Sequence, residues 1–103
     1  MKQEKTYDTF QDFYPFYLSQ HQNKICKRLH YIGSWLVLLC IFYAIFSNNL
    51  LFLFVAPIIG YAFAWVGHFF FEKNRPATFT YPVYSLIGDW RLFIDITRGK
   101  INF

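Results

Sequence analysis

The sequence predicts an all-α membrane protein: two antiparallel transmembrane helices plus flanking interfacial helices, about four helices in all. Three observations carry that expectation. None of the ten Lys and Arg or six Asp and Glu residues lies between Tyr31 and Phe71. The chain is 55% hydrophobic and 24% aromatic over 103 residues, more apolar surface than a soluble domain this small can hide. Its uncharged block is divided by the polar run Ser47, Asn48 and Asn49, a turn short enough to force an antiparallel return.

Residues 1–103 leave room for one integral membrane domain. The net charge of +4 comes from basic residues that all precede Tyr31 or follow Phe71. By the positive-inside rule both termini face the cytoplasm and the Ser47 turn lies on the far side. Such a basic excess serves topology and anionic lipid, and excludes nucleic acid as the partner it implies. The start of the chain has acidic residues and no apolar run after its lysines, so a cleavable signal peptide is not expected there. Cys26 and Cys40 lack metal-binding or CxxC spacing and read as reduced packing residues.

Taken in order, residues 9–20 form a short interfacial helix with Phe10, Phe13, Tyr14, Tyr17 and Leu18 to one side, broken or bent near Pro15. On one continuous helix, His21 and His30 would stand about 180° apart and ~13 Å along the axis, unable to share a ligand. A break between them resolves this, and Asn23 is a suitable N-cap for it. The first span then runs over 23–46, with a stripe of small residues through Gly33, Val37, Cys40 and Ala44. The second, 50–72, repeats Ala56, Gly60, Ala64, His68 and Glu72 every four residues, and Pro57 is placed to kink it. Pairing the two stripes lets the helices approach closely. After a proline-containing loop, Pro82 opens an amphipathic helix over 82–98 that Gly99 stops. Its apolar face is Val83, Leu86, Ile87, Trp90, Phe93 and Ile94, and it should lie on the cytoplasmic surface or cap the bundle.

A hairpin closed at the far side brings His21, His30, His68 and Glu72 to one cytoplasmic membrane edge. A single interfacial histidine is commonly an amphipathic anchor. All three at one depth point to a site, because ionisable groups at the end of an apolar span are costly to keep there. Three imidazoles with open positions suit Fe(II) or another first-row metal, zinc included. Glu72 can ligate, orient a ligand histidine, or pair with Lys73 or Arg75. Arg28, Asn23, Asn74 and Arg75 can hold a carboxylate or phosphate headgroup, or simply serve topology.

The pattern HxxxxxxxxHxxG from His21 to Gly33, followed by WVGHFFFEKNRPATF from Trp65 to Phe79, resembles the family of small membrane proteins that includes the yeast 2-hydroxy fatty acid dioxygenase of sphingoid-base α-oxidation. The likeness covers nearly the whole chain, and its most specific piece is GHxxxExxxPA. It implies a helical membrane protein that uses Fe(II) and O2 to shorten a 2-hydroxy fatty acid by one carbon. It also implies metal binding by His21, His30 and His68, a second-sphere orienting or proton-transfer role for catalytic Glu72, and a substrate-binding role for Arg75, Asn74 and Arg28. A chain this short is a minimal, bacterial-type member, which implies a bacterial inner membrane. Cys26 stands where many members have Asn, so that residue's role does not transfer. Two other readings compete: a haem held between His30 and His68, and a non-catalytic lipid-binding or scaffold protein. Whether the chain forms a homo-oligomer stays open.

Overall fold

The computed structural model describes residues 6–103. The lysines and glutamate of the first five residues, which argue against a signal peptide, lie outside the described residues. Helix α1 spans Phe10–Ser19 and starts at Thr9, whose hydroxyl accepts from the Asp12 amide at 3.1 Å. It is not broken at Pro15 as expected. Pro15 faces outward while Phe13 and Tyr17 are fully buried, so packing holds the helix across the missing amide.

Helix α2 spans Lys24–Phe46. Asn23 is extended and its side chain accepts from the amides of Ile25 and Cys26 at 2.9 and 3.2 Å, which caps α2 and turns the chain after His21. Past Asn48, which takes a left-handed conformation at φ 56°, α3 spans Leu51–Val66 and runs through Pro57. The expected single helix over 50–72 changes pitch at Gly67, where a π-turn takes over for Gly67–Glu72. Lys73 ends it at φ 62°.

α2 and α3 pack antiparallel along the two small-residue stripes. Gly33 meets Gly60 and Phe63, Gly60 meets Val37, and Gly67 meets Cys26. The Cys40 thiol donates to the Phe52 carbonyl at 3.2 Å, and both cysteines are free. Each member of this hairpin is long and apolar enough to cross a membrane. Their outer sides expose large apolar groups such as Phe46 and Phe54, a surface that suits lipid. A Cβ at Gly33 would sit 2.8 Å from the Phe63 Cβ, so the helices must part to admit one. Gly33→Val is therefore expected to cost about 1–3 kcal/mol, read as a lower unfolding temperature in detergent. An unchanged unfolding temperature would show that the two backbones are not in close register there.

The connection after the π-turn contains one 3₁₀ turn, Ala77–Phe79, before helix α4 at Pro82–Thr97. Gly99 follows at φ 81°, and the amides of Lys100 and Ile101 close onto the Asp95 carbonyl at 2.8 and 3.2 Å. α4 packs against α1 around Phe13, Tyr17, Leu92 and Ile96. It turns inward Ser85, Gly88 and Asp95, and leaves outward the apolar Val83 (67% exposed), Leu86, Ile87 and Ile94. That inversion of a water-soluble helix is what an interfacial helix needs, with its apolar side toward lipid. Its inward Asp95 is paired: the Tyr14 hydroxyl donates to Asp95 Oδ2 at 2.8 Å, and Arg91 Nε lies 3.3 Å from both Asp95 oxygens.

Candidate metal centre

Three local signals bring the three histidines to one point. His21 follows the end of α1, with its amide bonded to the Leu18 carbonyl at 3.1 Å. His30 lies in the second turn of α2, which Asn23 has redirected. His68 is the second residue of the π-turn, a widened turn of the kind often found at functional sites. Gly67 permits the approach, since a Cβ there would meet Cys26 Sγ at 3.0 Å and Cα at 3.1 Å.

All three rings are buried, with 2 to 5% of each residue exposed. Their centroids stand 4.4 Å apart for His21–His30 and His21–His68, and 4.9 Å apart for His30–His68. The ring planes cross at 74 to 87°. One ring nitrogen from each residue lies within 4.8 Å of the other two.

The hydrogen bonds behind the rings fix which nitrogen carries the proton. His21 Nδ1 lies 2.6 Å from the Tyr17 carbonyl and His30 Nδ1 lies 2.9 Å from the Cys26 carbonyl. A carbonyl can only accept, so both Nδ1 atoms are donors. His68 Nδ1 lies 2.7 Å from Asn74 Oδ1. The Asn74 amide nitrogen donates to the Gln20 carbonyl at 3.0 Å, which orients its oxygen toward His68. Each neutral imidazole thus has its Nε2 lone pair free.

Two such lone pairs, on His21 and His30, face each other at 3.1 Å. Without a cation between them that contact is repulsive. Two nitrogens each about 2.1 Å from one metal stand roughly 3.0 to 3.4 Å apart across an angle of 90 to 109°. The donor set therefore fits a first-row divalent metal, with each ligand ring held from behind by an oxygen acceptor. Burial, and then the neighbouring His30 and His68 rings, hold the His21 pKa well below the usual histidine value, in the neutral form a metal needs.

The other residues singled out from the sequence are placed differently. Asn74 is committed to His68 and Gln20, with both ends of its amide used. Glu72 Oε1 accepts from the Asn23 amide at 2.7 Å, tying the π-turn to the start of α2. Arg28 donates to the Phe103 carbonyl at 3.0 Å and lies over the Phe103 ring. Arg75 is exposed and lies over the Phe79 ring. The structure brings together the three histidines with Asn74, and turns Glu72, Arg28 and Arg75 to other partners.

Two residues at the site were not read from the sequence. The Tyr17 ring stacks on His21 with centroids 4.0 Å apart, and its hydroxyl donates to Asp89 Oδ1. Burial pushes the Asp89 carboxyl up to about 7, against the downward pull of that hydroxyl. Gly88 makes room for the ring, since a Cβ there would lie 2.8 Å from Tyr17 Cδ2. The available signal was an acidic residue beside a glycine on an amphipathic helix, which is weak. Next to the triad a mostly apolar cavity of about 340 Å³ runs between α2 and α3 under α4. His30 and Asp89 line it together with apolar side chains such as Ile41 and Leu53.

The model of the family described as 2-hydroxy-palmitic acid dioxygenase Mpo1-like matches residues 7–101. No curated protein and no solved structure matches the chain.

Proposed function

This chain belongs to the 2-hydroxy-palmitic acid dioxygenase Mpo1-like family, and from that premise we propose that it is an iron-dependent dioxygenase that shortens 2-hydroxy fatty acids by one carbon. It acts at the cytoplasmic edge of a bacterial inner membrane, with the hairpin in lipid, α1 and α4 on its surface, and both termini in the cytoplasm. The observation that carries the reading is the set of three buried imidazoles whose Nδ1 atoms are all committed, with a ring nitrogen of each within 4.8 Å of the other two and the His21 and His30 Nε2 atoms 3.1 Å apart.

His21, His30 and His68 are the residues that hold Fe(II) in this reading. When bound, the iron supplies the O2 chemistry that cleaves the bond between C1 and C2. The chain's own residues do the rest. The Tyr17 and Cys26 carbonyls and Asn74 hold the imidazoles in one tautomer and one orientation. The cavity between α2 and α3 takes the acyl chain along its mostly apolar walls. Glu72 fixes the π-turn against the start of α2, and through it the position of His68. Arg75 and Arg28 attract the carboxylate to the membrane edge as rim charges.

The haem alternative needs two imidazoles on opposite faces of a macrocycle. Here all three rings pack in near-perpendicular contact, with centroids 4.4 to 4.9 Å apart, which leaves no slot between His30 and His68. The test is to supply purified protein with Fe(II) and 2-hydroxypalmitate and to follow O2 uptake and the C15 product. Uptake matched by product is expected. Bound lipid without O2 uptake would establish the non-catalytic lipid-binding reading.

A further inference from the structure

The geometry points to Asp89 as the residue that recognises the 2-hydroxyl group of the substrate, by accepting a hydrogen bond from it at the His30 end of the cavity. The inference rests on the substrate class proposed above and adds to it the source of the selection for a 2-hydroxy acid over a plain fatty acid.

Three observations support it. Asp89 and His30 line the same cavity, whose other walls are largely aliphatic and aromatic. A carboxyl group in such surroundings is costly unless something hydrogen-bonds to it. Asp89 is half-buried, and only its Oδ1 is used, by the Tyr17 hydroxyl; among the described residues Oδ2 has no hydrogen-bond partner. The carboxyl is also held in register with the triad. Tyr17 grips Asp89 through its hydroxyl and stacks its ring on His21, while Gly88 packs closely on that ring.

An acyl chain entering between α2 and α3 with its head toward His30 brings its first carbons past Asp89. A hydroxyl on C2 donates to Oδ2 and satisfies it. A plain fatty acid leaves that oxygen unpaired, and sites built to bond a substrate hydroxyl discriminate strongly against analogues lacking it.

The experiment measures binding under anaerobic conditions, so that substrate is not consumed, using the fluorescence of Trp90, which lines the cavity. Wild-type protein is titrated with 2-hydroxypalmitate, 2-methoxypalmitate and palmitate. The methyl ether keeps the C2 oxygen and loses the donor. The wild type is expected to bind the hydroxy acid at least about tenfold more tightly than either analogue. In Asp89→Asn, which keeps an acceptor for the Tyr17 hydroxyl, the preference should fall about tenfold with palmitate affinity retained. In Asp89→Leu it should vanish.

Equal binding of the hydroxy acid and its methyl ether by the wild type would overturn the inference, with no variant needed. So would a preference unchanged in whichever variant folds. Failure of the dioxygenase reading shows separately, as absent O2 uptake by wild-type protein whatever the binding preference.

Discussion

Alanine at His30 or at His68 is expected to abolish iron binding and to lower O2 uptake with 2-hydroxypalmitate by well over ~100-fold, beyond the 10- to 100-fold typical of losing a group that merely supports a ligand. Each ring supplies one of three converging lone pairs, and the chain has no fourth histidine to take its place. The variants should still fold, because the hairpin is held by the Gly33, Gly60 and Gly67 contacts along its length and not by the rings alone. Iron content and circular dichroism, measured on the same samples, separate the two effects. Iron retained at one per chain in His30→Ala would remove that residue from the metal set.

Replacing Asn74 by Leu is the second large effect, and it acts without touching the metal. Leu matches the amide in size but cannot accept from His68 Nδ1 or donate to the Gln20 carbonyl. His68 is then free to turn or to change tautomer, and the Gln20 carbonyl loses that donor. Iron affinity is expected to fall about 10- to 100-fold, with activity recovering at high iron concentration. Asn74→Asp keeps an acceptor for His68 and should lose less. Equal losses in the two variants would show that Asn74 serves substrate or packing in place of His68.

Much of this arrangement was legible because membrane physics restricts the choices. An uncharged block with a short polar turn has one plausible topology, and that topology places the start of α2 and the end of α3 at one level. The Asn23 cap was readable for the same reason: without it His21 and His30 diverge, and a polar cap residue stood at the required point. The helix-packing glycines and alanines were visible as periodic stripes.

What escaped depends on distant or inverted context. The π-turn is a local change of pitch in a run, GHFFFE, with no proline to announce it, and the close fit of Gly67 on Cys26 is a tertiary fact. The hold of Asn74 on His68 was not readable because its partners, His68 and the Gln20 carbonyl, become neighbours only after folding. Glu72 offers several readings from its spacing, four residues after His68, and that its oxygen reaches the Asn23 amide is settled by folding alone. Asp89 sat on what amphipathic patterning marks as the wet side of α4. At a lipid surface that side packs inward, which is how an acid on an ordinary polar stripe comes to line a cavity.

X-ray absorption at the iron edge of Fe(II)-loaded protein tests the central claim most directly. One iron per chain with the scattering pattern of three imidazole rings, lost together with the iron in His68→Ala, is the expected result. A spectrum with no imidazole contribution, or one that His68→Ala leaves unchanged, would contradict the shared three-histidine site on which the proposed function stands.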